Sequence, residues 1–199
     1  MQPKKKNTSP KEFVDNVSKK FINLTKLLEL TNNDFIRTSE ERHTSYVKTI
    51  WEKLEKLGDI YLDTYKGWYS ITDESFIAEN EITTSKENQK IGPSGDVLQW
   101  LEEPSYFFKL SKWQNKLLKF YSENPNFIKP KSRYNEVIKF VEAGLQDLSI
   151  SRTSFSWGIN VPGSSEHIIY VWLDALFNYI SVLTSEKDNY DKYWPADAH

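Results

Sequence analysis

Apolar residues first recur at helical spacing at Phe13, Val14, Val17, Phe21, Leu24 and Leu28. Ser9 suits the cap of this run, Pro10 the first helical position, and Glu12 completes a capping box, so a helix is predicted to start here and to bury its apolar stripe. After the polar turn TNND, Phe35 and Ile36 read as a short strand, and Thr38 with Glu41 reads as a second capping box. Tyr46, Val47, Ile50, Trp51, Leu54 and Leu57 then mark a second helical face, which ends at Gly58, a residue suited to the turn that closes a helix.

From Asp59 the period shortens. DIYLDTYKGWYSITDESF alternates β-branched and aromatic residues and is interrupted by Lys66 and Gly67, which predicts a β-hairpin or two short strands. Polar residues dominate from Glu79 to Gly95, with Gly92, Pro93 and Gly95 as breakers, and read as an exposed loop. Helical spacing returns at Phe107, Leu110, Trp113, Leu117 and Phe120, and again from Arg133 to Leu145. LSISRTSFSWGINVPG is extended in character and leads into HIIYVWLDALFNYIS, a helical run. The order is α/β, then a mixed α+β stretch, then a return to α/β: an insertion into one domain, without internal repeats.

Composition narrows the function classes. The 26 Lys+Arg against 28 Asp+Glu leave a net charge of −2, so no overall field attracts nucleic acid or an acidic membrane, and any RNA contact must be local. No apolar run approaches the ~20 residues of a membrane span, and the basic start MQPKKKNTSP is not followed by an apolar segment, so a cytoplasmic protein is expected. With no cysteine, thiol catalysis and cysteine-ligated zinc are excluded, and His43, His167 and His199 are scattered without metal spacing. The 7 Trp, 11 Tyr and 11 Phe are read as core unless a pattern singles some out.

Three stretches could carry chemistry. KLSKW, Lys109 to Trp113, superficially resembles a lysine-rich phosphate-holding loop, but Leu110 and Trp113 fit the helical stripe, which puts the lysines on a solvated side. Arg152 follows alternating residues; its fixed donors suit a carboxylate or phosphate, although a surface strand arginine is the commoner outcome. Trp172, Ala175 and Tyr179 fall at i, i+3 and i+7, with Leu176 beside them and Asp174 set between. A large ring next to a methyl-sized gap makes room for a thin apolar ligand, and the tyrosine adds a polar handle. From spacing alone core packing is the preferred reading and a pocket wall the alternative.

NDFIRTSEERH, GDIYLDTYKGWYSITDESF, SYFFKLSKWQNKLL, DLSISRTSFSWGINVPG and YVWLDALFNYIS, in this order, resemble the bacterial-type methionyl-tRNA synthetases across nearly the whole chain. The resemblance implies an α/β fold: part of a class I synthetase Rossmann-like catalytic domain interrupted by a mixed α+β connective insertion. Residues 1–58 would close the first half of the catalytic domain, 59–165 would be the insertion without zinc, and 166–199 would begin the second half. It implies activation of methionine with ATP, Mg being expected for the family, and transfer to methionine tRNA. Trp172, Ala175, Leu176 and Tyr179 would line the methionine pocket, with Leu176 where some members have proline. Arg152 would be the catalytic charged group, pairing with an upstream acidic residue, and Gly158 and Asn160 would lie near the adenosine. The family's HIGH-like and GTDEHG-type segments would precede Met1, and its KMSKS loop and anticodon-binding domain would follow His199, so this segment is expected to be inactive by itself. The alternative is a non-catalytic tRNA-binding or interaction module derived from such an enzyme.

Overall fold

The computed structural model describes residues 8–73, 75–154, 156–185 and 189–196. The basic start and His199 therefore lie outside the described residues. The chain divides into two compact units, Met1–Glu52 with Phe155–His199, and Lys53–Ser154.

In the discontinuous unit, α1 (Pro10–Leu27) starts as its sequence predicts, with the Ser9 hydroxyl accepting the Glu12 N–H at 3.2 Å. Its apolar stripe is not buried: Phe13, Phe21, Leu24 and Leu28 are exposed, and no residue of α1 is buried. Periodicity identifies which face of a helix is apolar, and burial needs a surface to lie against it. Residues 35 and 36 form irregular backbone instead of a strand. Here polar side chains take over the local bonding: Asp34 accepts the Phe35 N–H at 2.6 Å and both terminal nitrogens of Arg42 at 2.5 and 2.9 Å. The second helix, α2 (Glu41–Lys56), begins beyond Thr38, and the first N–H bonds go to the Glu40 carbonyl rather than to a threonine cap. Its buried stripe is His43, Val47 and Trp51, one residue per turn.

The Arg42 hydrogen bonds hold the Asp34 carboxyl below its ordinary value, against the opposing cost of desolvation. Because the folded value is the lower one, the stabilisation is present above the unfolded carboxyl value and is lost as pH falls through the folded value. We expect the melting-temperature gap between wild type and Asp34→Asn to close between about pH 6 and about pH 2. A gap constant over that range would show that the Asp34–Arg42 pair does not contribute.

The contiguous unit opens with the end of α2, where the turn is closed by Gly58 at φ +69°, Gly58 N–H bonding to the Glu55 carbonyl and Asp59 N–H to that of Leu54. This is the reciprocal pattern of a glycine-closed helix terminus. Strands β1 (Ile60–Ser70), β2 (Ser75–Ile77), β3 (Thr83–Thr84), β4 (Lys90–Ile91) and β5 (Gln99–Phe108) follow, then α3 (Gln114–Glu123), α4 (Lys131–Glu142), β6 (Leu148–Ser149) and β7 (Ser151–Arg152). The main sheet has the order β2-β1-β5-β6, with antiparallel neighbours throughout.

Strand β1 runs unbroken through Lys66 and Gly67, paired with β5 from Ile60–Phe108 to Tyr69–Gln99. A Cβ on Gly67 would come within 3.2 Å of the Phe76 ring and 3.3 Å of the Tyr65 ring, so this glycine admits aromatic packing on the sheet rather than a turn. The expected polar loop at 79–95 includes a 3₁₀ turn and the small β3–β4 ribbon. Phe107, read as helical, lies in β5 opposite Tyr61 and Ser149, because the alternating ladder pairs outcompete the helical spacing of the residues beyond.

KLSKW is a structural staple. Leu110–Trp113 is a 3₁₀ turn ahead of α3, and Lys112 is exposed as expected, but its Nζ also pairs at 2.5 Å with the buried Asp59 carboxylate. Ser111 donates its N–H and its hydroxyl to Asp147, which also accepts the Tyr61 hydroxyl. A buried carboxylate needs a cation, and the turn brings one.

Candidate functional site

After Trp157 the discontinuous unit resumes with a narrow antiparallel loop. Ile169 N–H bonds to Ile159 O at 2.7 Å and Val161 N–H to His167 O at 3.0 Å, with Asn160 bridged to Ile168. Strand β8 (Ile168–Ile169) then delivers the chain into α5 (Val171–Leu176) and α6 (Asn178–Ser181), with α7 (Asn189–Tyr193) beyond. The run expected as one helix from His167 thus begins extended and turns helical at Val171. Phe177 keeps right-handed helical angles (φ −74°, ψ −6°), so residues 171–181 retain helical sidedness across the junction.

That sidedness separates two chemistries. On one side Trp172, Leu176 and Tyr179 are 66%, 61% and 68% exposed. Ala175 lies between them, half-buried. Leu176 and Tyr179 also line a cavity of ≈ 650 Å³ together with Ile180, Leu183, Tyr193 and Trp194. A cavity of that size with aromatic and aliphatic walls suits a small, largely apolar ligand. The preferred expectation of core packing is therefore not met for Trp172, Leu176 and Tyr179.

On the other side Asp174 and Ser181 are buried and meet a histidine that sequence reasoning set aside. His43 of α2 is fully buried; its Nε2 lies 2.5 Å from Asp174 Oδ1 and its Nδ1 lies 2.7 Å from Ser181 Oγ. One signal was legible: continuing the Trp51–Val47 stripe back one turn lands on His43.

Gly158 and Asn160 both lie in the narrow loop. Gly158 adopts φ +144°, and a Cβ there would meet Ile168 Cγ2 at 2.4 Å. A smaller cavity of ≈ 170 Å³ opens beside Gly158 and Asp174, lined also by Lys11, Thr38, Thr44 and Trp157. The Asn160 side chain donates to Ser165 O at 3.4 Å. Arg152 belongs to the contiguous unit. Its Nη1 donates to Ser149 Oγ at 2.5 Å and to Ser151 O at 2.7 Å, and its guanidinium lies 5.9 Å from the Phe76 ring centre. The nearby buried Glu103 accepts the backbone N–H and the hydroxyl of Thr153. Among the described residues no group of three or more His, Asp or Glu side chains could hold a metal ion, and no helix is long and apolar enough to cross a membrane.

A family model described as tRNA synthetases class I (M) matches residues 1–199, and the chain belongs to that family. Its curated relatives include methionine–tRNA ligases of Rickettsia conorii, 53% identical over 98% of this chain and 38% of the relative, and of Bacillus subtilis, 47% identical over 97% and 31%. Mycobacterium tuberculosis methionyl-tRNA synthetase in complex with methionyl-adenylate superposes with a TM-score of 0.83 at 41% identity, covering 96% of this chain and 38% of that one. The chain therefore spans less than two-fifths of the length of these relatives, which are ligases rather than free-standing binding modules.

Proposed function

We propose that this chain is the part of a methionine-activating class I synthetase that supplies one wall of the amino-acid pocket. The exposed Trp172, Leu176 and Tyr179 face beside the ≈ 650 Å³ apolar cavity carries the reading, because that face matches the family's YVWLDA-type helix. In the proposed reaction the methionine carboxylate attacks the α-phosphorus of ATP and pyrophosphate leaves, and the methionyl group then passes from the resulting adenylate to methionine tRNA with release of AMP.

The residues of this chain contribute binding and orientation. Trp172 and Tyr179 offer ring faces and edges to a flexible thioether, a contact worth about 0.3–1.5 kcal/mol, and Ala175 leaves the gap through which the side chain lies. Leu176 extends the apolar wall. Gly158 and Asn160 belong to a narrow loop in which the missing Cβ of Gly158 admits the Ile168 side chain, and we assign that loop to the adenosine side. Arg152 is the proposed charged group of the site, its guanidinium already oriented by two local acceptors. We assign residues 59–165 as the connective insertion, a reading supported by the contiguous compact unit Lys53–Ser154, through which the chain leaves the other unit and returns to it. Mg is expected for the family, and among the described residues no group of three or more His, Asp or Glu side chains is placed to hold it.

Full-length enzyme carrying this segment is expected to catalyse methionine-dependent ATP–pyrophosphate exchange and to charge methionine tRNA. The purified 199-residue segment, which lacks the HIGH-like and KMSKS-like motifs that stabilise charge on the phosphates, is expected to give no exchange above background. Exchange by the isolated segment would overturn this division of labour.

A further inference from the structure

We propose that His43 is a positioning residue for the methionine pocket: held between Asp174 and Ser181, it sets where the 171–181 segment presents Trp172, Ala175, Leu176 and Tyr179. The inference rests on the pocket reading above. Residues 171–181 consist of a six-residue and a four-residue helical piece, too short to hold their own geometry in water. Their placement must come from tertiary ties, and the directional ones among the described residues converge on a single imidazole. Asp174 and Ser181 stand two helical turns apart and are bonded by the two nitrogens of one ring, from a residue 131 and 138 positions earlier in the chain.

Apolar packing alone tolerates sliding and rotation of so short a segment; two hydrogen bonds at opposite edges of a rigid ring do not. The ring is itself immobile, since it is fully buried on the stripe that continues into Val47 and Trp51. One turn along α2, Tyr46 packs edge-to-face on Phe177 at 6.2 Å, bracing the junction between the two helical pieces. Asp174 requires such a partner, because a buried carboxylate left unpaired is strongly unfavourable. Pocket side chains on one face of the segment are thus held in place by a polar clamp on the other, and His43 needs no contact with substrate to act.

The test is ATP–pyrophosphate exchange by full-length enzyme carrying this segment, with methionine and ATP varied separately, in wild type, His43→Ala, His43→Gln, Ser181→Ala and Trp172→Ala. His43→Ala is expected to raise the methionine KM about 10- to 100-fold while the ATP KM changes less than about twofold. His43→Gln, whose amide still donates to Asp174, is expected to recover most of that loss. Ser181→Ala removes one bond, leaves Asp174 paired, and is expected to fold and to show an intermediate methionine KM; it decides the matter if His43→Ala does not fold. A raised methionine KM in Trp172→Ala with an unchanged one in Ser181→Ala and in folded His43→Ala overturns the clamp alone. Parallel losses in both KM values that simply track thermal stability overturn it too. An unchanged methionine KM in Trp172→Ala brings down the pocket reading and the clamp with it.

Discussion

Gly158→Ala is expected to lower the stability of the 199-residue chain by about 3 kcal/mol, shifting its melting temperature by roughly 6–12 °C. Two costs combine. The backbone at φ +144° is a conformation that L side chains rarely adopt, which contributes about 1–3 kcal/mol. The new methyl group would also come within 2.4 Å of Ile168 Cγ2, an atom fixed directly on a β-carbon in the core, where only 2% of the residue is exposed. A β-branched side chain has little rotameric freedom with which to move aside, so the backbone of the Ile159–Ile169 loop would have to shift. Chemical denaturation checks the magnitude, and repeating it in an Ile168→Ala background checks the cause. The alanine penalty should shrink there; an undiminished penalty would trace the whole effect to the backbone.

Trp172→Ala in the full-length enzyme is expected to weaken methionine binding by about 2 kcal/mol, roughly 30-fold in KM, while changing protein stability by less than about 0.5 kcal/mol. The contrast between the two effects is the informative part. At 66% exposure the indole contributes little to the folded unit, so its apolar area remains available to a ligand. Trp51, 1% exposed on the buried face of α2, provides the opposite case: its truncation should cost about 3–5 kcal/mol of stability. Methionine titrations of exchange activity and thermal melts of the same Trp172→Ala preparation measure both quantities. An unaltered methionine KM would remove Trp172 from the pocket.

Sequence patterning carried local structure well. The Ser9–Glu12 cap, the Gly58 terminus and the Val47 and Trp51 side of α2 depend on residues within a few positions of one another, and the bonds occur where side-chain chemistry allows them. Local patterning misled where two local preferences competed or where distant residues decided. Gly67 carries the signal of a turn, yet it sits inside a long strand because the Tyr65 and Phe76 rings occupy the space of its absent side chain. Lys112 is exposed as its spacing suggests, yet no local pattern shows that Asp59, 53 positions earlier, takes it as a counter-ion.

The candidate site divides along the same line. Sequence by itself determined that Trp172, Ala175 and Tyr179 share a helical face and that the order of motifs matches a family of class I tRNA synthetases, because spacing and identity are properties of the linear chain. Only the tertiary structure decided that this face is exposed, that the α1 stripe is exposed too, and that His43, Asp174 and Ser181 form one buried group. Burial and hydrogen-bond partnership are relations between surfaces brought together by folding, and residues 131 positions apart share no local pattern from which their contact could be read.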